Sequence, residues 1–362
     1  MASVGNIREM FPGGNTAYGF YSFYDYIIGP EANRIFIIKG GPGVGKSTIM
    51  RQIGDEMLQR GYDVEFHHCS SDNDSLDGVV IPAIKIALID GTAPHVVDPK
   101  NPGAVDEIIH LGDYWNEDGI REHKDSIIAH NRQVRYLFDR AYRYLAAAKS
   151  VRDDISVSIE SCVDKAKVYH LAYDIKKALF KDVPVSDSTG KQRHLFASAI
   201  TPDGIVDHLD TLIVPQAHRY VLKANIGSSS SSILLDIAKA AEAVGYDVEL
   251  YHCPLVPDEV EHIIIPALNT AITTSSRFED NAALIYDMNA CIDSDKLSAL
   301  KDEISKDRVM MDSLINEAIR SIAAAKRTHD EMESYYKSNM NFEGVQQAKN
   351  RLLERILKYA AN

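Results

Sequence analysis

The sequence predicts an α/β fold built by tandem duplication of one parallel-sheet domain, each copy carrying a long projecting antiparallel helical hairpin. Three observations predict it: an internal repeat covers almost the whole chain, each copy alternates strand-length apolar runs with helical stretches, and each copy closes with a long segment of helical period. The length of 362 residues also exceeds what one ordinary hydrophobic core supports, so we expect two domains.

The internal repeat is clearest where residues 61–65 (GYDVE) recur as residues 245–249, with a His-Cys pair shortly after each. In the same register and without a gap, residues 81–83 (IPA) recur as residues 265–267. Several separated matches in one register are not expected by chance. The chain is therefore predicted to be two copies of one unit.

The joint between the copies falls in residues 183–191, where proline, serine and glycine cluster. We predict a first domain over residues 1–186 and a second over residues 187–362. Helical hairpins are predicted over about 118–182 and about 295–360, where apolar residues recur with a helical period. A first helix of about 40 residues would be about 60 Å long, which is more than a compact domain needs.

The first copy shows its elements in a clear order. Residues 34–39 (RIFIIK) form an apolar run of strand length, and a Gly-rich turn leads into a helical stretch at 47–60 that Gly61 ends. Residues 63–68 and 84–89 are the second and third predicted strands. Strands that alternate with helices favour a parallel sheet covered on both faces.

The composition narrows the function classes. With 39 basic and 52 acidic residues the formal net charge is −13, which disfavours nucleic acid and anionic membranes as partners. No apolar run approaches the roughly 20 residues of a membrane-spanning helix, and no signal peptide is evident. The four cysteines are widely spread, as is typical of reduced thiols, so we expect a cytoplasmic protein.

A glycine-rich loop follows the first strand and fits the pattern G-x-x-x-x-G-K-[ST], the Walker A motif. Its glycines let successive N–H groups point inward at a helix N-terminus, where they bind phosphate. Lys46 would reach the β and γ phosphates, and the Ser47 hydroxyl would ligate Mg²⁺. The predicted nucleotide-binding residues are Gly40, Gly41, Gly43, Val44, Gly45, Lys46, Ser47 and Thr48.

Residues 34–48 resemble the first strand and loop of P-loop NTPases. The stretches 67–82 (HHCSSDNDSLDGVVIP) and 90–108 (DGTAPHVVDPKNPGAVDEI), set in two such repeats, resemble an uncharacterised bacterial family of predicted ATPases or ATP-binding proteins. This second resemblance covers most of the chain. It implies a P-loop-type fold and ATP as the nucleotide, and it implies no biological role.

Asp90 ends the third predicted strand and is the candidate for the Walker B aspartate, which holds a water of the Mg²⁺ shell. Ser47 and Asp90 are thus the predicted metal site. The alternative is that Asp90-Gly91 is a strand-ending turn.

No glutamate follows Asp90, so the group that orients the attacking water must lie elsewhere, or hydrolysis is slow. Asp72, Asp74 and Asp77 follow the second predicted strand, at the sheet edge expected to face the phosphates. We favour Asp72, because Val256 replaces it in the second copy. The predicted catalytic residues are Lys46, Asp90 and Asp72. The alternative for each aspartate is a turn that caps the next element.

The second copy departs from the motif. Ser230 stands where the first copy has Lys46, loop glycines are lost, and Thr274 stands where the first copy has Asp90. A serine supplies no positive charge. We therefore predict that this copy is a decayed, regulatory partner.

Three further features have a functional and a structural interpretation. His95 follows Asp90 and would sense the γ phosphate, or it is an ordinary loop histidine. The His-Cys pairs at 68–69 and 252–253 would form a zinc site, although strand-end packing is favoured. A basic and aromatic run on the first hairpin would clamp nucleic acid or act as a lid, although a solvated face is favoured; its members are Arg132, Arg135, Tyr136, Arg140, Arg143 and Tyr144.

The sequence as a whole predicts an ATP-binding protein with Mg²⁺-dependent ATP hydrolysis in the first repeat. A small-molecule or nucleotide phosphotransferase is one alternative. A nucleotide-gated binding module with negligible turnover, whose hairpins hold a protein partner, is the other.

Overall fold

The fold comes from a computed structural model of the chain, which describes residues 4–92, 96–181 and 183–361. It consists of two similar halves, each with a six-stranded sheet and a two-stranded hairpin. The strands and helices of the first half are β1 (Ile7–Met10), β2 (Gly13–Thr16), β3 (Gly19–Ser22), β4 (Arg34–Lys39), α1 (Lys46–Gln59), β5 (Val64–Cys69), β6 (Asp72–Ile81), β7 (Ile86–Asp90), β8 (Asp106–His110), α2 (Glu117–Arg121), α3 (Lys124–Glu160) and α4 (Lys165–Phe180).

The second half repeats this order of elements. Its strands and helices are β9 (Gln192–Leu195), β10 (Ser198–Thr201), β11 (Gly204–Asp207), α5 (Leu209–Ile213), β12 (His218–Lys223), α6 (Ser230–Ala243), β13 (Val248–His252), β14 (Val260–Ile265), β15 (Thr270–Thr273), β16 (Leu284–Asp287), α7 (Ser294–Ala299), α8 (Lys301–Lys337) and α9 (Phe342–Ala360). Both sheets have the same strand order, β1-β5-β6-β7-β4-β8 in the first and β9-β13-β14-β15-β12-β16 in the second.

Each sheet is mostly parallel, and one strand departs from the prediction. Strand β6 runs antiparallel to both β5 and β7, and β14 does the same between β13 and β15. The reason is the short connection, because only two residues join Cys69 to Asp72, and a parallel pair needs a crossover of a dozen or more. The expectation of a wholly parallel sheet is therefore wrong at this position.

Helices α3 and α8 are the longest elements, with 37 residues each, and they pack against each other. The pairing is antiparallel: His123, at the start of α3, stacks on Tyr335 near the end of α8, with ring centroids 4.6 Å apart. At the opposite end, Ile159 clusters with Ile304. The two halves therefore share one central helix pair.

The prediction of a hairpin within each copy is wrong in its choice of partner. Helix α4 leaves α3 and packs on α6 of the second half, and α9 leaves α8 and packs on α1 of the first half. On α9, the side chains of Leu352 and Ile356 are 3% and 0% exposed within the first core. The sequence repeat could not reveal this exchange, because both copies offer equivalent apolar surfaces to an equivalent helix.

The exchange places residues of each half over the other half's sheet. Isolated bridges between Trp115 and Met340, and between Val163 and Ile292, hold the turns where the helices cross. Across the part of the chain that the structure describes, no helix has both the length and the apolar character to span a bilayer.

Candidate functional site

The glycine-rich loop lies between the end of β4 and the start of α1. Gly43 and Gly45 have φ values of 68° and 95°, a left-handed backbone that glycine adopts without steric cost. Helix α1 begins at Lys46, and no side chain caps its first turn. The N–H groups of that turn have no partner within the helix, and this arrangement suits an anion.

Lys46 lies across the loop. Its Nζ donates hydrogen bonds to the carbonyl oxygens of Gly40 (3.2 Å) and Gly41 (2.9 Å), and it lies 3.6 Å from Oδ2 of Asp90. The Lys46 side chain is 11% exposed. The structure therefore brings together the lysine and the aspartate that the sequence pairs as a phosphate ligand and a metal ligand.

The remaining loop residues have different environments. The Ser47 hydroxyl accepts a hydrogen bond from the backbone N–H of Leu76 on β6 (3.0 Å). Val44 is fully buried in the first hydrophobic core, so its side chain packs and only its backbone is available to a ligand. Thr48 is exposed in the first turn of α1.

Asp90 has two different contacts at the end of β7. Its Oδ1 accepts hydrogen bonds from the backbone N–H and the hydroxyl of Thr92, at 2.9 and 2.5 Å, which is the turn that the alternative interpretation expects. Its Oδ2 faces Lys46. One carboxylate thus stabilises the turn and pairs with the loop lysine.

The three aspartates expected in a loop lie within strand β6 instead. Asp72 accepts a hydrogen bond from the Ser75 hydroxyl (2.7 Å), and its Oδ1 lies 3.4 Å from Nζ of Lys326 on α8. Asp74 is exposed. Asp77 is 4% exposed, and burial together with the Asp90 carboxylate raises its pKa to about 7.

The second half contributes residues to this site that the sequence analysis missed. A Cβ atom on Gly41 would lie 2.9 Å from the ring of Tyr336 and 3.4 Å from that of Trp115. A Cβ atom on Gly43 would lie 2.9 Å from the side chain of Lys337. The end of α8 therefore packs directly on the loop, and these two glycines are required for that approach. No local sequence signal marks these residues, because their position depends on the pairing of α3 with α8.

An open cleft of about 390 Å³ lies next to Trp115, between the two halves. It is lined by Asp113, Tyr114, Trp115, Asn116, Ser338, Asn339, Met340 and Asn341.

The other sequence candidates do not join this site. His95 lies outside the described residues. The two His-Cys pairs do not converge on one metal site, because His68 contacts Glu9 (3.1 Å) while His252 contacts His194 (2.8 Å). Most of the basic and aromatic run on α3 is exposed, as a solvated face would be; its exposed members are Arg132, Arg135, Tyr136, Arg140 and Arg143.

Comparisons with protein-family models, with curated proteins and with solved structures found no match to this chain.

Proposed function

We propose that the protein binds ATP at the loop before α1 and hydrolyses it slowly with Mg²⁺, and that the second half is a decayed, regulatory partner. The observation that carries the proposal is the position of Lys46, whose ammonium lies between two loop carbonyls and the Asp90 carboxylate at a helix N-terminus. The resemblance to P-loop NTPases supports ATP as the nucleotide.

In this proposal, Lys46 exchanges its contacts with the Gly40 and Gly41 carbonyls for phosphate oxygens. The backbone N–H groups at Gly43 and Gly45 and in the first turn of α1 bind the same phosphates. These donors are fixed by the fold before ATP arrives, so little reorganisation is needed on binding.

The donor set fits Mg²⁺, which prefers oxygen ligands. The Ser47 hydroxyl oxygen uses one lone pair for the Leu76 N–H and has a second for a metal. Asp90 would supply a carboxylate oxygen, Oδ2, from the side of the loop that Lys46 occupies. Bound Mg²⁺ would neutralise charge on the β and γ phosphates.

Cytoplasmic localisation stays a prediction.

Slow basal turnover follows from Gly91, since an acidic residue after Asp90 orients the water in many ATPases. Asp72 is the favoured substitute, although its pairing with Lys326 ties it to α8.

A nucleotide-gated binding module is the second candidate function, and the contact of α8 with the loop favours it. If the phosphates of bound ATP displace the end of α8 from the loop, α3 should move with it, because the two helices pack along their length. A protein partner would bind on this helix pair.

The test follows the γ phosphate of labelled ATP in the presence of Mg²⁺. Free phosphate supports the ATPase, and label on an added metabolite supports a phosphotransferase. Tight binding without turnover supports the gated module. If Lys46→Ala binds ATP as tightly as the wild type does, the ATPase, the phosphotransferase and the gated module are all refuted for this loop.

A further inference from the structure

A cluster of Glu9, His68 and His208 shares no residue with the glycine-rich loop and has no part in the proposed ATP chemistry. One ligand-type atom from each residue lies within 4.8 Å of the other two. Glu9 is on β1 and His68 is on β5, both in the first half, whereas His208 precedes α5 in the second half. The cluster therefore spans the boundary between the halves.

We propose that these three side chains bind one divalent first-row transition-metal ion, for which Zn²⁺ is the probe. Two imidazoles and one carboxylate, with a further position left to water, are a donor set that zinc accepts. The Glu9 carboxylate bridges the two rings, with Oε1 3.1 Å from His68 Nε2 and Oε2 3.8 Å from His208 Nδ1.

The surroundings of His68 allow its Nε2 to bind a metal. Its Nδ1 lies 3.4 Å from the carbonyl oxygen of Asn73, which can only accept, so the tautomer with its proton on Nδ1 has a partner there. In that tautomer the Nε2 lone pair faces the Glu9 carboxylate, 3.1 Å away, and a cation between them would bind both. Without a cation, the other tautomer donates its Nε2 proton to Glu9.

The backbone positions Glu9 and His208 together. The Thr211 hydroxyl accepts a hydrogen bond from the Glu9 N–H (2.9 Å) and donates one to the His208 carbonyl (3.0 Å). The buried ring of Phe11 closes one side, 5.0 Å from the His208 ring. The His208 and Glu9 side chains are 18% and 29% exposed, so an ion can enter from solvent.

One adjustment is needed for binding. The rings of His68 and His208 are stacked, with centroids 4.3 Å apart. The His208 ring must turn about its Cβ–Cγ bond to direct its nitrogen at a shared ion, and its partial exposure leaves room for that rotation.

The second half provides a natural comparison. His194, His252 and Phe23 occupy the corresponding positions, and there the two imidazoles hydrogen-bond to each other at 2.8 Å. Phe23 packs on His252 with ring centroids 4.6 Å apart, in the place that His208 takes beside His68. The metal-type donor set is thus confined to one of the two equivalent positions.

The experiment titrates tag-free, full-length protein, treated with a chelator and free of nucleotide, with Zn²⁺ by calorimetry. Co²⁺ absorption in the visible range serves as an independent readout of direct coordination. We expect one ion per chain. His208→Phe, which copies the second half, and Glu9→Gln should each weaken binding by at least about 10-fold, since loss of an outer partner of a ligand already has an effect of that size.

His194→Gln, at the position equivalent to Glu9, is the matched control and should bind Zn²⁺ as the wild type does. Circular dichroism checks that each variant is folded. No Zn²⁺ binding by the wild type, or unchanged affinity in folded Glu9→Gln, would overturn the proposal and leave His68 as a proton donor to Glu9.

Discussion

The loops that precede α1 and α6 share one backbone geometry. Gly43 and Gly227 are left-handed, with φ values of 68° and 74°. The residue just before each helix is left-handed as well, Gly45 at 95° and Ser229 at 67°. The second loop keeps this conformation even though the left-handed backbone is sterically strained for Ser229 and unstrained for glycine.

The serine in the first turn of each helix also makes the same contact. Ser47 accepts a hydrogen bond from the N–H of Leu76 at 3.0 Å, and Ser231 accepts one from Val260 at 2.9 Å. This contact ties each helix to the antiparallel strand of its sheet. It belongs to the fold, and it exists whether or not the loop carries a lysine.

The difference between the loops is one of charge. The first loop has Lys46 beside Asp90, whereas the second has Ser230 and Thr274 at those positions. The two similar halves therefore hold the same loop shape with and without the charged pair. Function in the first half should therefore depend on the charged pair more than on the loop backbone.

The largest expected effect is that of Lys46→Ala on ATP binding. Two charge-assisted hydrogen bonds to phosphate are lost, which we expect to weaken binding by at least about 100-fold. Calorimetry with Mg-ATP measures the affinity, with Ser230→Ala as the matched control that should leave it unchanged. The wild type should bind one nucleotide per chain, and two tight sites would contradict the contrast between the loops.

Asp77→Asn should stabilise the protein at alkaline pH. Because the pKa of Asp77 is raised to about 7, the folded state holds a proton that the unfolded state releases above about pH 4. The free energy of unfolding of the wild type therefore falls between pH 4 and 7 through this group, by about 4 kcal/mol.

Denaturant unfolding of both proteins from pH 4 to 8 measures this difference. The advantage of Asp77→Asn should grow with pH and level off above pH 7. Asp74→Asn, an exposed neighbour on β6, is the control and should show no such trend.

Leu352→Ala and Ile175→Ala test the helix exchange. Both side chains are buried, at 3% and 1% exposure, and each truncation should lower the free energy of unfolding by about 2–5 kcal/mol. Hydrogen exchange should locate the damage in opposite halves: Leu352→Ala should expose α1, and Ile175→Ala should expose α6. Damage confined to the half that precedes each helix in sequence would contradict the exchange.

Asp90→Asn should lower Mg²⁺-dependent turnover by about tenfold or more while it changes nucleotide affinity little, since its proposed role is at the metal. Steady-state hydrolysis and binding measured on the same preparation separate the two effects. Thr274→Val, at the equivalent position of the second half, is the control. An unchanged rate in Asp90→Asn would mean that the carboxylate serves only the turn with Thr92.

The smallest expected effect is that of Ser229→Gly. Relief of the left-handed strain should raise the free energy of unfolding by about 1 kcal/mol. Gly45→Ser, the reverse change in the first loop, should lower it by a similar amount. Chemical denaturation measures both, and stabilities equal to that of the wild type would show that the left-handed backbone does not strain serine at these positions.

Much of the fold could be predicted from the sequence where the pattern is local. Strand β4 covers the apolar run that predicts it, residues 34–39. Strand β6 was not predicted, because its first four residues are polar (DNDS) and its apolar part begins only at Leu76. The charged pair of the candidate site was also found, because both members lie at strand or helix ends.

What could not be predicted depends on pairing between the copies. Tyr336 and Lys337 pack on the glycine-rich loop only because α8 lies antiparallel to α3. Likewise, His208 reaches Glu9 only across the boundary between the halves. A duplicated sequence offers two equivalent partners for each surface, and periodicity cannot choose between them.

The exchange of α4 and α9 also constrains how the chain acquires its structure during synthesis. Residues 342–360, which complete the first hydrophobic core, leave the ribosome after every strand of both sheets. One apolar face of the first sheet therefore stays incompletely covered until α9 has been synthesised. Contacts between residues this distant in sequence also form slowly. A nascent chain that stops early cannot finish its first core, so the proposed nucleotide binding by that half should begin only after α9 has been synthesised.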